Sequence, residues 1–204
     1  MRSLWASTNP RAALVAAPPS EPLRIAMMSF AHVHANGYAE AVRGNPRTTI
    51  RVVWDEVPER GKERAEHFGV PFEASLEATL DREDVDAVVV NAPTNIHHEV
   101  YFAALDRGKH IFTEKALTVK VKDADAVVAA AEKSSAKFMI SLPSRTDPQV
   151  LWLRGILDQG LLGDVTYIRT RIGHSGALDR WFEGHNSWFA DPVAAGGGGL
   201  FDLG

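Results

Sequence analysis

"LRIAMMSFAHVHANGYAEAVRG", residues 23–44, sets an apolar run, a tight turn and a helical period in direct succession. Residues 23–28 read as a buried strand and residues 36–44 as a helix, so residues 29–35 must turn the chain between them. A turn at this spacing usually carries glycines as G-x-G-x-x-G, because the backbone must approach a dinucleotide pyrophosphate closely. Here those three positions are Ser29, Ala31 and His34. The phosphate in such a unit is held by backbone N–H groups and the helix dipole, not by glycine itself. Glycine contributes the left-handed conformation, which costs any other residue about 1–2 kcal/mol. Ser29 and Ala31 are small enough to leave the backbone near a ligand, whereas His34 stands where a third glycine would let helix and strand pack. Two outcomes stay open. Either an altered turn still binds, with Ser29, Phe30, Ala31, His32, Val33 and His34 around the cofactor, or it no longer does.

The alternation continues outward from this stretch. "TTIRVVW" (48–54) precedes "PERGKERAEHFG", where Gly69 reads as a helix stop. "DAVVVNAP" (86–93) precedes "NIHHEVYFAALDRG", with Val100, Ala103 and Ala104 on an inner face and Gly108 at its end. "HIFTE" (110–114) precedes "KVKDADAVVAAAEKS", whose Val121, Ala124, Val127, Val128 and Ala131 recur at helical spacing, and "KFMISL" (137–142) closes the series. Val/Ile-rich runs without polar alternation are strands covered on both faces. The predicted fold is therefore α/β, a Rossmann-type doubly wound parallel sheet.

The texture changes after Leu142. "DPQVLWLRGILDQG" reads as a helix capped by Asp147 and Pro148 and ended by Gly160. "DVTYIRTRIG" (164–173) reads as a long strand, and an aromatic, glycine-rich stretch follows it. Residues 1–22, rich in Ala, Ser and Pro, read as a disordered leader or a mis-called start; Pro10 and Arg11 interrupt the apolar centre a signal peptide would need. The division is thus a leader (1–22), a dinucleotide-binding domain (23–142) and the start of an α+β substrate and oligomerisation domain (143–204).

With 204 residues, 45% hydrophobic and 24% charged, the chain has the composition of a globular protein with one sizeable core. A net charge of -4 gives no footprint for nucleic acid or an anionic membrane. No apolar run approaches the roughly 20 residues that span a bilayer. The absence of cysteine excludes disulfides and thiolate metal sites and fits a reducing cytoplasm.

Three segments together resemble the Gfo/Idh/MocA family of NAD(P)-dependent sugar and cyclitol dehydrogenases. "NAPTNIHHEVYFAALDRGKHIFTEKAL" matches its Pro-containing strand end, a His four residues later, then G-K-H and E-K-P. "LRGILDQGLLGDVTYIR" is similar to the helix, G-x-x-G-x-V turn and first strand of its second domain. "GGGGLFDLG" looks like its G-G-G-x-L-x-D-x-G-x-H. A branch of the family carries an A-H-x-H turn like that at residues 31–34. This sequence departs in its glycine-free turn, in Ala116 where E-K-P has proline, and in stopping two residues before the motif's histidine. Because family members are longer, the resemblance reads this chain as truncated within the C-terminal domain.

The resemblance implies roles residue by residue. Lys115 would sit beside the nicotinamide and the reacting hydroxyl, where partial desolvation lets a lysine act as acid or base; the alternative is a surface lysine. Asp202 would be the acidic member of the catalytic group. Glu114 would orient this segment or contact cofactor. Asn91, Ala92, Pro93, Asn95 and His97, at the carboxyl end of "DAVVVNAP", would line the nicotinamide side, although His97 has equal claim to packing or capping the next helix. From the residues themselves, Asp55 ends the second predicted strand, where a carboxylate accepts both ribose hydroxyls and repels a 2′-phosphate. With Glu56 beside it NAD is favoured over NADP; the alternative is a helix cap. Arg145, Trp181 and Trp188 would face a polyol. His32 and His34 lack a third ligand in sequence, so no metal is expected.

Three function classes follow. The first is an oxidoreductase passing hydride between nicotinamide and a sugar or cyclitol hydroxyl, impaired by truncation. The second is a non-catalytic dinucleotide- or sugar-binding protein, and the third a non-functional fragment. A small-molecule polyol partner and a homo-oligomer paired through the second domain's sheet go with the first.

Overall fold

The computed structural model describes residues 21–173, 175–198 and 201. Five strands form one parallel sheet: β1 (Leu23–Met28), β2 (Thr48–Trp54), β3 (Ala87–Val90), β4 (His110–Thr113) and β5 (Phe138–Ile140). Their order is β2-β1-β3-β4-β5, so the direction of winding reverses between β1 and β3. Phe72 adds a single parallel bridge to Val53 beside β2.

Alternation along β1 sorts the core into two. Ile25 and Met27 pack with Ala35, Ala39 and Ala65 of α1 (Ala35–Gly44) and α2 (Pro58–Phe68). Ala26 and Met28 face the other way, onto Leu80 of α3 (Leu76–Leu80), Val100, Tyr101 and Ala104 of α4 (His97–Asp106), and Val127 of α5 (Val121–Lys133). A side chain buried this way contributes about 1.5–3 kcal/mol, so a strand covered on both faces gains at every residue. That is why the runs lack polar alternation. The doubly wound fold stands as expected.

Local details differ. The short helix α3 was not expected; Ser75 caps it by accepting the Ala78 N–H at 3.1 Å. On α5 only Val127 is buried, while Val121 and Val128 are 77% and 49% exposed. Each residue turns the helix by about 100°, which carries Val128 off the face that Val127 presents to α4.

Beyond β5 the helix α6 (Pro148–Asp158) is capped by Asp147, which accepts the Gln149 and Val150 N–H groups, yet none of its residues is buried. Residues 164–173, read above as a long strand, belong to no strand. A strand needs a ladder, and among the described residues no backbone pairs with this stretch. The chain then returns to the sheet through a 3-10 stretch (Gly184–Ala190) and α7 (Pro192–Ala195), where Trp188 donates its indole N–H to the Ala31 carbonyl at 3.0 Å. No helix among the described residues is long and apolar enough to cross a membrane.

Candidate functional site at the carboxyl edge of the sheet

In an open α/β sheet, ligands bind outside the carboxyl ends of the strands where the winding reverses. Here the turn after β1 meets the segment after β3: Asn91 donates its N–H to the Met28 carbonyl, and His32 donates its own to the Asn91 carbonyl at 3.0 Å. The sequence-predicted residues Ser29 to His34, Asn91 and Ala92 therefore converge on one crevice.

The turn keeps the backbone a glycine would provide. Ser29 adopts φ 73°, and its hydroxyl accepts the Ala31 N–H at 3.1 Å. The Phe30 N–H goes to Asp55 at 2.8 Å, the His34 N–H to His32 Nδ1 at 3.2 Å, and the Ala35 N–H to the His32 carbonyl. With His32 on Asn91, the amides of Phe30, Ala31, His32, His34 and Ala35 are all engaged. Among the described residues nothing in the protein takes the Val33 N–H, and α1 starts without a side-chain cap. A pyrophosphate fits here only on Val33 and the first turn of α1, a smaller cradle than an open glycine turn presents.

Asp55 is 1% exposed and saturated. Besides Phe30 it accepts the Val57 N–H at 2.8 Å, at the start of α2, and both Nε and Nη2 of Arg60 at 2.9 and 2.7 Å. Asp55 does not cap α2, whose N-cap is Val57 without a side-chain cap bond; it braces the residues before the helix and holds Arg60. Arg60 also bonds Glu56 Oε1 at 2.5 Å, whereas buried Glu56 Oε2 has no partner. Burial and then the Asp55 charge raise the Glu56 carboxyl above its ordinary range. Gly61 lets α2 lie this close: a Cβ there would stand 2.4 Å from Phe72 and 2.7 Å from Asp55 Cβ.

Glu114, at the end of β4, is the hub of the other half. Its side chain is 1% exposed and accepts His34 Nδ1–H at 2.8 Å, the Tyr38 hydroxyl at 2.5 Å and the Lys115 N–H at 3.0 Å. Burial alone would raise its pKa; the bonds from His34 and Tyr38 and the charge effect of His32 outweigh that and hold it near 2. Burial pushes His32 down to about 4, and burial with Glu114 pushes Tyr38 up to about 12. Tyr38 continues to the Ser141 hydroxyl at 2.7 Å. Neither Tyr38 nor Arg60 was picked from sequence. Tyr38 stands four residues after His34 and so on the same face of α1, the one signal available.

The fold supplies the third group that sequence lacked beside the two histidines. His32, His34 and Glu114 bring ligand-type atoms within 4.8 Å of one another. The proton positions do not suit a cation. His32 Nδ1 accepts an N–H, so in the neutral ring Nε2 carries the proton; His34 Nδ1 carries one because Glu114 only accepts. In these tautomers a metal would find lone pairs only on Glu114 and on His34 Nε2, short of the three or four ligands a zinc site needs. His32 Nε2 lies 3.7 Å from Glu114 Oε2, too far for a hydrogen bond, and is a buried donor without a partner.

The remaining candidates divide. His97 is 1% exposed and sits between the Ala92 and Ala116 carbonyls at 2.8 and 2.9 Å, tying the end of β3 to the residue after Lys115. Pro93 and Asn95 lie at a 3-10 turn before α4; Asn91 Oδ1 and Asn95 Oδ1 are buried acceptors without partners. Lys115 is half-buried beside Glu114. Trp188 joins the crevice through Ala31, and Phe189, stacked on it at 3.9 Å, reaches the His32 ring at 5.0 Å. Arg145 is exposed after β5 and is not brought to this cluster; Trp181 is half-buried, its N–H on the Gly176 carbonyl. Asp202 lies outside the described residues.

Residues 23–142 match the family model described as an oxidoreductase family with an NAD-binding Rossmann fold. A dTDP-3,4-didehydro-2,6-dideoxy-alpha-D-glucose 3-reductase of Actinomadura kijaniata is 28% identical over 185 residues, 91% of this chain and 54% of that protein. An inositol 2-dehydrogenase of Rhizobium meliloti is 28% identical over 131 residues, 64% of this chain and 39% of that one. The crystal structure of a 3-ketoreductase from Actinomadura kijaniata, with TDP-benzene and NADP, superposes with TM-score 0.61 at 30% identity, covering 69% of this chain and 45% of that one. The chain spans about half the length of curated relatives such as the reductase.

Proposed function

The chain belongs to the Gfo/Idh/MocA oxidoreductase family, and on that premise we propose that it binds a nicotinamide dinucleotide across the β1/β3 crevice and serves hydride exchange with a sugar or cyclitol hydroxyl. The family is NAD-binding, and its members similar to this chain include a sugar ketoreductase and an inositol dehydrogenase. The observation that carries the reading is the meeting of the β1 turn, the end of β3 and the Glu114–Lys115 pair at the point where the winding reverses.

In this reading the pyrophosphate lies on the Val33 amide and the first turn of α1. With Asp55 saturated, Glu56 Oε2 is the acceptor left for a ribose hydroxyl. Two carboxylates against one guanidinium leave the end of β2 negative, which favours NAD over a cofactor with a 2′-phosphate. Bound there, the dinucleotide supplies the hydride acceptor or donor. Lys115 assists the proton, and Trp188 covers the turn beside the polyol.

Titration calorimetry of NAD⁺, NADH and NADPH into the purified chain tests this. Saturable binding with NAD(H) preferred is the expected result; a folded chain that binds none of the three overturns it. The five engaged amides favour one second reading, a binding protein without turnover, for which NADH binds but Lys115→Ala changes no reaction.

A further inference from the structure

His34 is both anchored and open. Its ring donates Nδ1–H to Glu114 at 2.8 Å, while the side chain is 42% exposed. Among the described residues no protein group bonds its Nε2. A carboxylate only accepts, so Nδ1 supplies the proton, and in the neutral ring the lone pair belongs to Nε2. The anchor is fixed in turn by the Tyr38 hydroxyl and the Lys115 N–H, and Tyr38 by Ser141. The His34 plane is held between His32, 4.7 Å away centroid to centroid, and an edge-on Tyr38 at 6.2 Å. A carboxylate that fixes the tautomer and steadies the charged ring makes a histidine an effective proton acceptor.

We propose that His34 and Glu114 form an acid–base dyad whose Nε2 exchanges a proton with a hydroxyl ligand in the β1/β3 crevice. At Nε2 itself the surroundings suit a hydroxyl, which donates to the ring's lone pair, while an anion is confined to the Val33 amide and the first turn of α1. Five amides of the turn are already engaged, the buried Glu114 carboxylate lies one bond behind the ring, and Asn91 Oδ1 and Asn95 Oδ1 are acceptors too. The ionisable groups facing His34 are Glu114 from β4, His32 from its own turn and Tyr38 from α1, with Lys115 beside Glu114. A glycine at position 34 could make no such pair, so the residue that weakens the phosphate turn supplies the base.

In oxidation the hydroxyl O–H bond breaks and its proton goes to Nε2, with Lys115 assisting by holding the oxygen as its charge develops. The electron pair stays to form the carbonyl as the carbon-bound hydrogen leaves with its electrons for the nicotinamide; in reduction Nε2–H returns the proton. Only the hydride partner rests on the proposed function. The dyad itself is a property of the chain alone.

Two measurements on the chain without cofactor test it. Long-range ¹⁵N correlation spectra are expected to show neutral His34 with its proton on Nδ1. Diethyl pyrocarbonate, which acylates an unprotonated ring nitrogen, is expected to modify His34 faster than exposed His185. In Glu114→Gln, checked for folding by circular dichroism, the amide can donate as well as accept, so Nδ1 no longer has to carry the proton and the His34 rate should fall several-fold. A proton on Nε2, or a wild-type rate no greater than that of His185, overturns the dyad, and the spectrum requires no variant. Bound NADH, whose ribose hydroxyls enter the crevice, should slow the reaction several-fold; an unchanged rate with NADH bound removes His34 from the crevice. A chain that shows the tautomer and the reactivity but binds no NADH keeps the dyad and loses the dehydrogenase reading.

Discussion

Asp55 accepts the Phe30 amide at 2.8 Å while the same carboxylate grips Arg60 through two nitrogens. The turn after β1 is therefore clamped to the end of β2 by a charge with no exposure to water. Arg60→Met would leave that charge with backbone donors alone. Removing one partner of a buried pair costs about 3–5 kcal/mol, so the urea midpoint should drop by that equivalent. Adding Asp55→Asn removes the orphaned charge and should recover part of the loss. Equal midpoints for the single and double variants would show that the guanidinium matters only through packing.

Ser29 holds φ 73°, so Ser29→Gly relieves about 1–2 kcal/mol of backbone strain. Against this stand the hydroxyl's two hydrogen bonds, from the Ala31 N–H and, long at 3.4 Å, from Arg60 Nη2, together worth about 1 kcal/mol, and glycine's larger entropy on ordering, about 0.5–1 kcal/mol. These nearly cancel, and the melting temperature should move little. Binding should move more, because the Ala31 N–H leaves the serine hydroxyl and faces the crevice. Calorimetry should find NADH bound several-fold more tightly than by the wild type; unchanged affinity would mean that the Ala31 amide is not a phosphate donor.

The sheet was legible in sequence because strands covered on both faces leave continuous runs of Val, Ile and Met, and helices between them leave their period. Asn91 and Glu114 were legible as residues at strand ends, and the structure brings both to the crevice side of the sheet. Asp55 stands at the end of β2, yet its saturation depends on Arg60, which α2 brings alongside because Gly61 leaves room for Phe72 and Asp55. Tyr38 reaches Glu114, and Ser141 reaches Tyr38, across residues far apart in the chain, and no local pattern announces that. Residues 164–173 have a strand's composition and no ladder, a distinction composition does not contain.

Acid should unfold the protein in two overlapping stages. His32 binds its proton at about pH 4 when folded and about 6.5 when unfolded, so the unfolded chain takes up the proton first. Stability falls as pH drops from about 6.5 towards 4. Glu114 titrates near 2 when folded and about 4.3 when unfolded, so its contribution, complete above 4.3, is lost as pH falls towards 2. Each difference corresponds to about 3 kcal/mol, and because the two groups face each other the losses need not add. His32→Asn, whose side-chain oxygen can replace Nδ1 as acceptor for the His34 N–H, should flatten the upper stage and keep the lower. Urea midpoints between pH 7 and 3 measure both; an upper stage that persists in the variant would assign it to another group.

Trp188 ties residues 184–190 to the turn after β1 by one hydrogen bond from its indole to the Ala31 carbonyl. Trp188→Phe keeps an aromatic ring to stack on Phe189 and removes only the donor. The expected cost, about 1 kcal/mol, is local. Amides of residues 184–190 should exchange hydrogen about fivefold faster, while those of β1 and β3 keep their protection. NADH held across the turn would lie beside this indole, so its binding should quench more tryptophan emission in the wild type than in the variant. Equal quenching in the two proteins would place the bound dinucleotide away from Trp188 and leave the indole a purely structural tie.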